Sequence, residues 1–199
     1  MNTRHILPNL NPYRVVLASA SPRRRELLVG LGICFESLSL DVPEDYPKEL
    51  PVEEIPCFLA EKKAAAYNIS QDSLLITADT IVCFEERVYR KPQNRSETEH
   101  MLTELSGKTH LVITGLCIKT LQKQKTFSVT TKVRFAALDR EEIDFYLDNF
   151  EPYDKAGSYG IQEWIGYVAV KSIEGSYFNV MGLPIQRLYS ELKAFWTLS

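Results

Sequence analysis

The chain has 199 residues, 45% hydrophobic and 25% charged, with a formal net charge of −3. That length buries a core as one domain or two closely packed lobes, and the composition is ordinary for a soluble globular protein. The acidic balance weighs against a general nucleic-acid binder, and no run approaches the ~18 uninterrupted apolar residues of a membrane span.

Residues 1–13 read as a loose N-terminal extension. Its apolar stretch is broken by Pro8, Asn9, Asn11, Pro12 and then Arg14, so no secretory signal is expected. Cys34, Cys57, Cys83 and Cys117 are widely spaced, without a CxxC pair. They read as four buried thiols in a reducing compartment, and a cytoplasmic protein is expected.

Arg14 to Ala18 reads as a buried strand that runs into SASPRRRELLVGLG. There Ser21 suits the N-cap, Pro22 the first helical position, and Gly32 the helix end. A second strand near Cys34–Leu40 leads to an acidic, proline-rich loop, DVPEDYPKELP, and then to a helix over roughly Glu53–Tyr67. Leu74–Ala78 reads as a buried strand ending at Asp79, with a small hairpin from Ile81–Phe84 and Val88–Tyr89. A helix over about Ser96–Leu105 precedes two long strands, His110–Thr120 and Lys125–Ala136. In the second of these Phe127, Val129, Val133 and Phe135 alternate with Ser128, Thr130, Lys132 and Arg134. A helix at about Arg140–Asn149, the loop AGSYGIQ, a strand near Tyr167–Ile173 and a final helix from about Pro184 complete the chain. Helices alternating with strands early, and a long hairpin in the middle, predict an α/β fold with a mixed sheet.

Arg23, Arg24 and Arg25 stand in the first turn of the first helix, where the macrodipole disfavours cations by about 0.3–1 kcal/mol each. An anion explains them: free N–H groups, the dipole and guanidinium forks would all meet phosphate oxygens, with Ser19 and Ser21 adding hydroxyls. The alternative is that the arginines fan into solvent. Asp79, after the apolar run LLITA, suits a divalent ion or the proton of an attacking water, unless it only caps a turn with Thr80. Glu44 is a candidate second carboxylate, indistinguishable by sequence from Glu36, Asp41 or Asp45. Lys63 extends the buried stripe of Ile55 and Leu59, so it snorkels to water or meets phosphate. Lys91, held by Pro92, is a solvated loop lysine or a second phosphate contact. In DKAGSYGIQ, Gly157 and Gly160 permit close backbone approach, Tyr159 could stack on a ligand, and Gln162 offers a donor and an acceptor to a base edge. Cationic groups beside carboxylates are what phosphoryl chemistry needs.

Together the segments LASASPRRRELL (17–28), LAEKKA (59–64), ADTIV (78–82), KP (91–92), LSGKTH (105–110), EPYDKAGSYGIQ (151–162) and GSYFNVMGLP (175–184) resemble the Maf family in order and spacing. The resemblance implies residues 14–199 as one domain with an ITPase-like α/β fold. An elongated mixed sheet and flanking helices would form two lobes around a nucleotide cleft, commonly as a homodimer. It implies hydrolysis between the α- and β-phosphates of a nucleoside triphosphate with Mg²⁺ or Mn²⁺, in a house-cleaning role with a link to cell-division arrest. Carried over, Asp79 matches the proton acceptor, with Lys63 and Glu44 beside it in the catalytic set and Glu44 and Asp79 as metal ligands. Ser19, Arg23, Arg24, Thr80, Lys91 and Gln162 match substrate-binding positions. Arg23, Thr80 and Gln162 have the identities of the dTTP/UTP subgroup, and modified pyrimidine nucleotides fall within the same expectation. No membrane and no stable nucleic-acid partner are implied. Two positions depart from the family: Glu163, where glycine is usual, and Arg90, where a small residue is common. Two competing expectations stand beside this one. One is a non-catalytic regulator of septum formation that binds nucleotide or nucleic acid, and the other is a pyrophosphatase for another base such as 7-methyl-GTP.

Overall fold

The computed structural model describes residues 6–195, so residues 1–5 of the expected extension lie outside it. In chain order the elements are β1 (Arg14–Ala18), α1 (Pro22–Gly30), β2 (Glu36–Leu38), α2 (Ile55–Ala65), β3 (Ser73–Phe84), β4 (Arg87–Tyr89) and α3 (Arg95–Leu105). They continue with β5 (Thr109–Lys119), β6 (Gln124–Phe135), α4 (Arg140–Phe150), α5 (Trp164–Val168), β7 (Val170–Glu174), α6 (Tyr177–Val180) and α7 (Ile185–Ala194). The strands form a seven-stranded sheet in the order β2-β1-β3-β5-β6-β7, with β4 paired to β3. It is mixed: β1 runs parallel to β2 and β3, whereas β4 and β7 are antiparallel to β3 and β6.

The described residues divide into two compact units, one of residues 6–79, 114–129 and 182–195, the other of 80–113 and 130–181. In the first, β1 is buried on both faces, as parallel strands between helices are. Val15 and Leu17 join Leu28 of α1 and Leu188 and Leu192 of α7, while Val16 and Ala18 join Ala60 and Ala64 of α2. Each such valine or leucine side chain taken wholly out of water contributes about 1.5–3 kcal/mol. The expected loose extension is not loose over its described part. Leu7 and Leu10 lie in this core, and Asn9 Nδ2 donates to Leu192 O at 2.9 Å.

The end of α1 follows its sequence. Ser21 caps it, accepting from Arg24 N–H, Pro22 opens it, and Gly32 takes a φ of +74° just past its end. Asp79, however, does not end a strand: β3 runs unbroken from Ser73 to Phe84 and passes through it. The ladder with β1 stops at the Leu17–Ile76 pair, so β3 continues beyond the point where its neighbour turns into α1.

In the second unit α3 is capped by Asn94 and α4 by a reciprocal box between Asp139 and Glu142. Arg95 pairs with Asp144 and Asp148, and Arg140 with Glu99, linking the exposed faces of the two helices. Two short helices, α5 and α6, stand where the sequence suggested loop or the start of a strand. Among the described residues no helix is long and apolar enough to cross a membrane.

Candidate active site

The first unit gathers Ser19, Arg24, Glu44, Lys63 and Asp79. Alternation along β3 puts Thr77 and Asp79 on the face that α2 covers. Thr77 Oγ1 donates to Ala60 O at 2.6 Å, and one helical turn on, Lys63 Nζ donates to Asp79 Oδ1 at 2.5 Å. Three helix residues rise about 4.5 Å and two strand residues about 6.6 Å, and the long lysine side chain spans that difference. The approach of α2 depends on Gly115 of β5. A Cβ there would lie 2.3 Å from Cys57 N and Pro56 C, so the first turn of α2 rests on bare strand backbone.

Glu44 comes from the irregular 41–51 loop and accepts from Lys63 Nζ at 3.1 Å, while its neighbour Asp45 accepts from Lys62 at 2.7 Å. Consecutive carboxylates of the loop are thus held by consecutive lysines of α2. Asp79 is 7% exposed, so its charge sits largely out of water with Lys63 as its neutralising partner.

The arginine cluster divides by direction: Arg24 turns inward, Arg23 is half-buried and Arg25 is exposed. Arg24 Nε donates to Gly182 O at 2.8 Å, and its Nη1 donates to Ala78 O at 2.7 Å and Ser19 Oγ at 3.4 Å. One guanidinium therefore ties the β1–α1 turn, β3 beside Asp79, and the segment before α7. Burial pulls the Arg24 pKa below its ordinary value, while the Asp79 carboxylate acts the other way. Ser19 is buried, and its Oγ also accepts from Ser21 N–H at 3.2 Å.

Thr80, Lys91 and Gln162 belong to the second unit. Thr80 follows Asp79 along β3 and points to the opposite face. Lys91 is exposed, and the carbonyl just before it, Arg90 O, accepts from Gly157 N–H at 3.4 Å. Gln162 is half-buried, and its Oε1 is enclosed with no hydrogen-bond partner among the described residues. Tyr159 does not offer a ring to a ligand. It is 6% exposed, packed edge-on to Phe135 and His110, with its hydroxyl 2.8 Å from His110 Nε2. The aromatic cluster provides more apolar burial than an open loop would, which explains the difference from the sequence reading. The cysteines also differ from expectation: Cys83 and Cys117 are buried, but Cys57 is half-buried and Cys34 exposed.

Sequence reasoning passed over Gly115, His110 and the partners of Glu163. A lone glycine inside an apolar strand was the available signal for the first. The other two depend on contacts between distant segments and had none.

Among the described residues, no group of three or more histidine, cysteine, aspartate or glutamate side chains surrounds a common point. Glu44 and Asp79 nevertheless meet on one cationic centre and are hard oxygen donors. That set fits a divalent ion that completes its shell with phosphate oxygens and water, rather than one held in a closed protein cage.

The family described as Maf-like protein matches residues 14–195. A dTTP/UTP pyrophosphatase of Bacteroides fragilis is 58% identical over 191 residues, covering 94% of this chain and 99% of that protein. One of Porphyromonas gingivalis is 54% identical over 195 residues, covering 96% of this chain and 98% of that one. Among solved structures, the Staphylococcus aureus Ham1 protein aligns with a TM-score of 0.43 at 16% identity, over 62% of this chain and 72% of that one.

Proposed function

The chain belongs to the Maf family, and from that membership we propose that it is a nucleoside triphosphate pyrophosphatase acting on dTTP and UTP. Near-complete coverage of relatives bearing that name supports the substrate class. The observation that supports the chemistry is the meeting of Glu44 and Asp79 on the single ammonium of Lys63.

In the reaction, a water oxygen attacks the α-phosphorus, the bond to the bridging oxygen breaks, and pyrophosphate leaves with the nucleoside monophosphate remaining. Asp79, the carboxylate held at the inner end of the cluster, accepts the proton of that water. Lys63 supplies a positive charge beside the carboxylates and offsets the charge that develops on phosphate oxygens. Arg23, at the N-terminal turn of α1, is assigned to the phosphates. Ser19 still has its own hydroxyl proton to donate. Arg24 is assigned chiefly to fixing the turn, because three of its N–H bonds already go to protein acceptors. Glu44 and Asp79 would hold Mg²⁺ or Mn²⁺, which when bound supplies further positive charge for the triphosphate. Thr80, Lys91 and Gln162 are assigned to substrate binding, and the family resemblance supports that assignment. A cytoplasmic homodimer is part of the same proposal on the same ground.

The test is pyrophosphate release by the purified chain with Mg²⁺ or Mn²⁺ from dTTP, UTP, dCTP, dATP, modified pyrimidine triphosphates and 7-methyl-GTP. Preference for dTTP and UTP is expected. No pyrophosphate from any of them, or release of orthophosphate instead, would overturn the reading.

A further inference from the structure

We propose that Glu163 is a positioning residue for base selection, its carboxylate locking the Gly157–Gln162 loop by bridging Lys155 and Tyr146. The proposal rests on the pyrophosphatase reading and deepens it by naming what holds Gln162 in place.

Lys155 is 7% exposed, and a buried ammonium is costly unless it is paired. Its Nζ lies 2.6 Å from Asp154 Oδ1 and 3.0 Å from Glu163 Oε1. The Asp154 side chain is 59% exposed and that of Glu163 only 20%, so Glu163 is the partner that meets Lys155 on its inner side. The second oxygen of Glu163 accepts from the hydroxyl of Tyr146, a fully buried side chain. Burial, with the Glu163 contact adding to it, pushes the Tyr146 phenol upward and keeps it a donor. The same hydroxyl accepts from Gly160 N–H at 3.0 Å. Ammonium, carboxylate, phenol and backbone amide thus form one chain of hydrogen bonds from Lys155 to Gly160.

The loop is shaped around that carboxylate. Glu163 N–H donates to Gly160 O at 2.9 Å, closing a turn over residues 160–163. A Cβ on Gly160 would lie 2.7 Å from Glu163 Cδ, so the side chain folds back onto the residue that opens its own turn. On the other side Gly166 N–H donates to Glu163 O at 2.9 Å, and a Cβ on Gly166 would stand 1.8 Å from Ile161 O. Gln162 is the one residue between Ile161 and Glu163, so its backbone is fixed from both directions. Its buried Oε1 has no N–H donor among the described residues. Thymine and uracil carry such a donor at N3, and cytosine does not.

The geometry also disposes of another role for Glu163. Oε1 of Glu163 is engaged by Lys155 and Oε2 by Tyr146, so the role proposed for Glu163 is exerted through the loop.

The experiment compares wild type with Glu163→Gln and Tyr146→Phe, measuring kcat and KM for dTTP, UTP and dCTP alongside thermal unfolding. Each variant is expected to raise KM for dTTP and UTP about 10-fold and to shrink the kcat/KM preference over dCTP by a similar factor. Changes in kcat should stay within about 3-fold, because the Lys63–Asp79 chemistry is untouched. The double variant should be little worse than either single one, since both cut the same chain. If the variants unfold at lower temperature but keep the wild-type KM and base preference, Glu163 is structural only and the proposal is wrong. Should Glu163→Gln not fold, Tyr146→Phe decides alone, because the aromatic ring and its stacking on Phe150 remain. Wild-type protein without activity on any nucleotide removes the pyrophosphatase reading and this proposal together. Active wild type with indifferent variants removes this proposal alone.

Discussion

Acid should weaken this protein through His110, by an amount that the structure sets. The imidazole is 1% exposed, hydrogen-bonded through Nε2 to Tyr159 and edge-on to Phe135 at 4.8 Å. Its Nδ1 is buried with no partner among the described residues. Burial pushes its pKa from 6.5 down to about 4. Between those values the folded protein binds fewer protons than the unfolded chain. The stability contribution is therefore whole above about pH 6.5 and is lost as pH falls toward 4. A shift of about 2.5 units at 1.36 kcal/mol each gives a loss of roughly 3 kcal/mol. Carboxylates titrate over the same range, so the measurement is a difference. Urea unfolding of wild type and His110→Gln is followed by circular dichroism from pH 7.5 to 4. Glutamine keeps a polar partner near Tyr159 but does not titrate. The variant should start less stable, yet lose about 3 kcal/mol less on acidification. Curves that run parallel within about 0.5 kcal/mol would mean that His110 is protonated without penalty in the folded state.

Three further outcomes are expected. Asp79→Asn should keep the circular dichroism spectrum and lower turnover on dTTP by a factor on the order of 100 or more; a wild-type rate of pyrophosphate release would remove Asp79 from the chemistry. Gly115→Ala forces a Cβ to within 2.3 Å of α2 backbone, so the helix bearing Lys63 must move. The expected cost is about 1–3 kcal/mol in urea unfolding, with turnover reduced about 10-fold, and unchanged values in both assays would contradict the close packing described for β5 and α2. Glu85 and Glu86 take φ of 50° and 62° in the turn between β3 and β4, where left-handed backbone strains a side chain. Glu86→Gly should stabilise by about 0.5–1 kcal/mol in the same unfolding assay without altering pyrophosphate release.

What the sequence disclosed depended on how local the cause was. β1 and the start of α1 could be read residue by residue, because an apolar run, a Ser cap and a Pro at the first helical position act within a few positions of themselves. The break expected at Asp79 follows the end of the apolar run LLITA. Here Thr77 and Asp79 stay inside β3 because Ala60 O and Lys63 Nζ, from another segment, satisfy them. α5 and α6 span five and four residues, too few for a 3.6-residue period to register. Glu44 could not be separated from its neighbours by composition, but the structure sorts them by partner. Glu36 meets Arg14, Asp45 meets Lys62, and Glu44 meets the lysine that also holds Asp79.

That sorting explains why a basic cluster and an acidic pair can coexist in a small, mildly acidic protein. Two carboxylates brought close together repel, by about 3 kcal/mol at a separation of 5 Å and an effective dielectric of 20. Lys63 between them converts that repulsion into two attractive contacts, and its burial at 15% side-chain exposure limits screening by water. Arg24 does the corresponding work for the backbone, drawing the carbonyls of Ala78 and Gly182 toward the Ser19 turn. The one cation keeps the acids together and the other keeps the turn that carries Arg23 next to them. On the proposed function, a triphosphate would meet charges already in place, and little reorganisation would remain for the transition state. Loss of either cation would therefore damage geometry before it damaged charge balance, and that ordering distinguishes a preorganised site from a surface patch that merely attracts anions.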